Sequence, residues 1–145
     1  MSEKNESTVR RLIDEAWNKG NLKVVDELLT PDYVNHDPLN QFHGPQGLKD
    51  LVTKYRSAFP DCRLEIDELL SVGDRVISRW RFSGTHKNTL EGIAPTGRRV
   101  SGTGITIQRF VGDKMQETYT NWDALGLMQQ LGVFTMPGKT SAAGR

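Results

Sequence analysis

The stretch "TYTNWDALG", residues 118–126, ends a run of strand-like residues in an acid, Asp123, and passes at once into a short apolar helix. A carboxylate at such a junction can take a proton from a carbon beside a carbonyl and return it later. Strand alternation sets Asp123 on the same face as Glu117, Tyr119 and Asn121, a mixture of polar and aromatic groups suited to a binding pocket. The competing role for Asp123 is to cap the helix that follows, a position aspartate favours. The residue three places on is Gly126, so a reciprocal capping box is absent. Two histidines could assist. His36, in "NHDP", could donate to a substrate oxygen or relay a proton, or simply be satisfied by Asp37 within a turn. His86 ends a strand whose face also carries Trp80 and Phe82, which places it at a pocket mouth. Glu117 could serve the same pocket or pair with an arginine at its rim. His43 reads as a surface-loop residue. The three histidines show no spacing typical of a metal site, and no metal is expected.

The elements that must position these groups follow from periodicity. Val9, Leu12, Ile13, Ala16 and Trp17 recur at helical spacing over about 7–19, and Gly20 stops the run. A short second helix presents Leu22, Val25, Leu28 and Leu29 and is closed by Pro31. A third, "GPQGLKDLVTKYRSAF", has Pro45 in its first turn and Leu48, Leu51, Val52, Tyr55 and Phe59 along one side. Beyond Asp61 the period changes to two. "CRLEIDELLSV" reads as a strand with a slip near Leu69 and Leu70, and Gly73-Asp74 as a turn. "RVISRWRFSGTH" follows, with Val76, Ser78, Trp80, Phe82, Gly84 and His86 on one face and Arg79 and Arg81 on the other. A third strand spans roughly 100–110, a fourth 114–122, with Gly112-Asp113 between them. A last helix covers 124–131, and a loose tail begins near 134. Helices first, then an antiparallel meander, is an α+β layout in one domain, residues 1–145, with a core over about 7–133.

Composition narrows the function class. Net charge is +1 with charges at 26%, which lacks the basic footprint of a nucleic-acid binder. No apolar run approaches the roughly 18 residues of a membrane span. Cys62 is the only cysteine, so no disulfide forms within the chain. The expectation is a cytoplasmic protein with no membrane partner. Phosphate-loop, dinucleotide, zinc-protease and serine-hydrolase motifs are absent.

"YVNHDP", "GPQGLKDLVTKYRSAFPD", "GTHKNTLEGIAPTGRRV" and "NWDALGLMQQLG" together resemble the SnoaL-like polyketide cyclases, or ester cyclases, of the nuclear-transport-factor-like and ketosteroid-isomerase-like superfamily. The resemblance implies a cone, in which a curved, mostly antiparallel sheet wraps three N-terminal helices around a deep pocket, and a homodimer formed through the sheet. It implies intramolecular aldol condensation of an apolar carbonyl compound or polyketide-like ester with no cofactor. On it, Asp123 is the acid and base, and His36 its helper. Asn121, Tyr119, His86, Trp80, Phe82 and Glu117 are the substrate-binding set. Ala94 before the "PTGR" turn and Tyr119 in the last strand depart from common family residues, and both bear on pocket shape. Two other classes fit the same fold: a non-catalytic binding or dimeric scaffold, and an isomerase or hydratase of a small lipophile.

Overall fold

The computed structural model describes residues 2–135 and 137–138, so most of the tail expected from 134 onward lies outside the described residues. The first helix, α1, runs Ser2–Arg11 and continues as a wider π-helical stretch, Leu12–Trp17. Val9, Leu12, Ile13 and Ala16 are buried along it, as their spacing predicts. Gly20 ends it at φ 75°, a left-handed turn that closes on the Ala16 carbonyl. Helix α2 spans Lys23–Leu28 and α3 spans Gly44–Ala58, with Pro45 in the first turn of α3.

Six strands form one sheet in the order β2-β1-β6-β5-β4-β3. These are β1 (Leu29–His36), β2 (Phe42–His43), β3 (Arg63–Val72), β4 (Arg75–Thr85), β5 (Arg99–Val111) and β6 (Lys114–Trp122). Helix α4, Ala124–Gln130, follows β6. All neighbouring pairs are antiparallel except β1 and β6. The mixed α+β fold and the curved, mostly antiparallel sheet expected from the sequence are both present. Pro31 lies inside β1, not beyond a helix, and the chain is already extended at Leu29. The β1–β6 register shifts between Leu29 and Val34, so the proline falls where no ladder bond is required of it. The slip in β3 falls between Ile66 and Glu68, a little before the Leu69–Leu70 position expected.

A second irregularity decides the site. Arg109 pairs with Glu117 and Phe110 with Met115, so Gln116 is an extra residue in β6. Such a bulge reverses the side-chain phase of everything beyond it. Met115 is fully buried on the inner face, and then Thr118, Thr120 and Trp122 take that face, while Glu117, Tyr119 and Asn121 turn outward. The single face expected for residues 115–123 is therefore corrected. The inner face of β4 behaves as alternation predicts, with Val76, Ser78 and Phe82 buried, His86 buried just past its end, and Arg79 and Arg81 outside, paired with Asp67, Glu68 and Glu65 of β3.

Two apolar clusters fill the space between sheet and helices. One gathers Val9, Leu12, Val25, Val52 and Met115, the other Phe59, Phe82, Leu90, Val100 and Leu127. Among the described residues no helix is long and apolar enough to cross a membrane.

Candidate active site

Between the two clusters lies a cavity of about 930 Å³, counted out to and including its open mouth. Leu12, Ile13 and Trp17 close it on the side of α1, Leu48, Leu51 and Tyr55 on the side of α3, and the inner faces of β4, β5 and β6 form its floor. Its apolar wall is aromatic: Trp80, Phe82 and Trp122 line it, and Tyr55 meets Trp122 edge-on at 6.2 Å between ring centres. Trp80 is held by its indole N–H, which donates to Thr106 Oγ1 at 3.0 Å, and Thr106 in turn bonds Thr120 at 2.9 Å. Gly104 lies against the Trp80 ring so closely that any side chain there would collide with it.

Of the residues singled out in the sequence, the cavity gathers Trp80 and Phe82. The others sit elsewhere. Asp123 is exposed, and its Oδ1 accepts the Gly126 N–H at 2.8 Å, which makes it the N-cap of α4. Asn121 and Tyr119 are exposed on the outer face, through the phase reversal at Gln116. His36 lies on that outer face too, stacked on Tyr119 with ring centres 4.6 Å apart and with Nε2 2.7 Å from Glu117 Oε2. Arg109 donates twice to the other Glu117 oxygen, from Nε at 3.0 Å and Nη2 at 2.8 Å. The His36 hydrogen bond, and after it Arg109, hold the Glu117 carboxyl down at about 2. Glu117 is thus the ion-paired residue weighed as its alternative. His86 is fully buried but outside the cavity. Its Nδ1 accepts the Thr96 N–H at 3.2 Å and its backbone bonds Gly97 and Arg98, so it pins the loop before β5 to the end of β4.

The cavity's carboxylate is Asp37, the only Asp or Glu among the described residues that line it. The alternation of "YVNHDP" carried the signal: Tyr33, Asn35 and Asp37 share one parity and His36 the other. All three same-parity residues are buried. Asp37 is 6% exposed; its Oδ1 accepts the Leu39 N–H at 2.9 Å and its Oδ2 the Asn40 amide at 3.2 Å. Pro38 between them favours that turn. Across from this turn, burial, and then the nearby Asp37 and Glu91 carboxylates, push the Tyr55 phenol up to about 12. Burial likewise raises Tyr33. Both phenols therefore stay protonated at neutral pH, as donors. A buried carboxylate beside a protonated phenol, in an apolar aromatic box, is equipped to enolise a carbonyl compound and stabilise the oxygen that becomes negative.

The family model of the SnoaL-like polyketide cyclases matches residues 7–131. The chain belongs to that family. It is 34% identical over 131 residues to the aklanonic acid methyl ester cyclase DnrD of Streptomyces peucetius, covering 86% of this chain and 88% of that one. Identity to the nogalonic acid methyl ester cyclase of Streptomyces nogalater is 35% over 121 residues, 81% of this chain and 90% of the relative. Among solved structures, AclR of Streptomyces galilaeus, provisionally assigned as a hydroxylase, superposes with a TM-score of 0.83 at 27% identity, over 93% of this chain and 100% of AclR. Family and relatives together make this SnoaL-like protein a cyclase-type enzyme.

Proposed function

We propose that the enzyme closes a ring by intramolecular aldol condensation of an apolar, polyketide-like ester held in the cavity, with Asp37 as the acid and base. Support comes from one observation above all: Asp37 is the only carboxylate among the described residues that line the cavity, while Asp123, expected in that role, caps α4 in solvent. In this mechanism Asp37 takes a proton from the carbon next to a carbonyl, and the Tyr55 hydroxyl donates to the enolate oxygen. The enolate carbon attacks a second carbonyl of the same molecule, forming the new carbon–carbon bond. The resulting alkoxide recovers the proton from Asp37. His36, stacked on Tyr119 and hydrogen-bonded to Glu117 on the outer face, has a positioning role through β1, the strand that leads into Asp37.

Asp37→Asn and Asp123→Asn, assayed with aklanonic acid methyl ester and nogalonic acid methyl ester, the compounds in the relatives' names, test the proposal. The first should lower kcat by about 10²–10⁴-fold, the usual worth of a positioned acid–base group, and the second should leave it nearly unchanged. Full activity in Asp37→Asn with loss in Asp123→Asn would return the catalytic role to Asp123.

We further propose a homodimer through the outer face of the sheet, where Ile105 and Tyr119 are exposed at 50% and 42%. Light scattering should give twice the chain mass, and Ile105→Glu should give the chain mass.

A further inference from the structure

The cavity's polar groups can be followed proton by proton. Thr118 donates its hydroxyl proton to Asn35 Oδ1 at 2.6 Å, so Tyr33, 2.5 Å from Thr118 Oγ1, must be the donor in that pair. The Asn35 amide donates to the Asn40 carbonyl at 2.8 Å. Gln108, on β5 opposite Thr118, donates its amide to Ser78 Oγ at 2.9 Å, and Ser78 passes its own proton on to the Thr106 carbonyl at 3.5 Å. In this arrangement Nε2 faces Ser78 and Oε1 is left over. Oε1 is buried, meets no donor among the described residues, and belongs to a residue 5% exposed that lines the cavity. The other buried side-chain atoms without partners, on Asn5, Thr30 and His86, belong to residues outside the cavity wall. A buried acceptor without a donor is costly, and in a binding site its usual explanation is a group the ligand supplies.

We propose that Gln108 Oε1 accepts a hydrogen bond from a hydroxyl of the substrate and so selects a hydroxylated ring system over the same skeleton without that hydroxyl. This rests on the cavity being the substrate site. Asp37 is the alternative acceptor for such a hydroxyl, and it stands on a different element, after β1. A site built to pair with a hydroxyl discriminates against the analogue that lacks it, because the acceptor is then left buried and empty. Gln108 contributes no proton to the chemistry. Its effect is confined to recognition.

The experiment measures binding of 6-hydroxycoumarin and coumarin, aromatic lactones that differ by one hydroxyl, through quenching of tryptophan fluorescence. Trp17, Trp80 and Trp122 all line the cavity, so occupancy is read directly. Wild-type protein should bind the hydroxylated probe about five- to tenfold more tightly, the worth of one neutral hydrogen bond. In Gln108→Met that preference should vanish with coumarin binding kept, and in Asp37→Asn it should persist. Gly102→Leu is the control for place, because Gly102 lines the cavity with open space in front of it, and a leucine there fills the room the probe needs. Equal binding of the two probes by wild type, abolished by Gly102→Leu, overturns the role of Gln108 and leaves the cavity as the site. Binding unaffected by Gly102→Leu, or no binding at all, overturns both. A preference lost in Asp37→Asn but kept in Gln108→Met assigns the hydroxyl to Asp37 and also overturns the proposal. The wild-type comparison stands even where a variant fails to fold.

Discussion

Glu117→Gln removes the acid that joins β1 to β5 across the outer face of β6. A carboxyl held at about 2 in the fold, against an ordinary 4.5, corresponds to a ceiling of about 3 kcal/mol of stability. The Glu117 side chain is 22% exposed, so water screens the interaction and about 1–2 kcal/mol is the expected loss. The folded value lies below the unfolded one, so the contribution is complete above about pH 4.5 and is lost as pH falls toward 2, with more than half gone at pH 3. Urea unfolding at pH 7 and pH 3, followed by circular dichroism, reads the difference between variant and wild type at each. The gap should be large at pH 7 and shrink to less than half at pH 3. An equal gap at both values, or none at pH 7, would refute an ionised Glu117 as the tie between the strands.

Two further predictions concern groups described above. Asp123→Ala should cost about 1 kcal/mol in thermal unfolding, the usual worth of an N-cap, whereas Asp123→Asn should be nearly neutral because asparagine caps as well. Gly104→Ala should destabilise by about 1–3 kcal/mol, since its methyl would displace the Trp80 ring from the indole bond to Thr106; a blunted near-ultraviolet tryptophan signal would report the same displacement.

Most of the architecture is legible in the sequence because it rests on repetition. Leu48, Leu51, Val52 and Tyr55 mark one side of α3, and Val76 to His86 mark the inner face of β4, each with several residues agreeing. The site was less legible because two single-residue events govern it. The extra Gln116 turns Glu117, Tyr119 and Asn121 outward, and nothing in "KMQETYTNW" marks which residue is surplus, since polar side chains occur on both faces. The early entry into β1 at Leu29 was masked by Pro31, which reads as a helix stop but sits in an unpaired part of a strand. Asp37 is visible by parity with Tyr33 and Asn35, while the neighbouring His36, of the opposite parity, carries the more familiar acid–base signal and lies on the outer face. The hydrogen-bond direction through Ser78 and Gln108 depends on contacts 30 residues apart and has no local signature.

The bulge at Gln116 also means that β6 spells two different sets of side chains, only one of which is addressed to the cavity. Deleting that one residue would rotate the following segment by half a turn and exchange the sets, threonine and tryptophan for glutamate, tyrosine and asparagine. A single codon thus separates a hydroxyl-lined floor from an acid-bearing one on the same scaffold. Within a fold that hosts varied chemistry, such a phase change gives insertion and deletion, rather than substitution, a direct route to a new reaction.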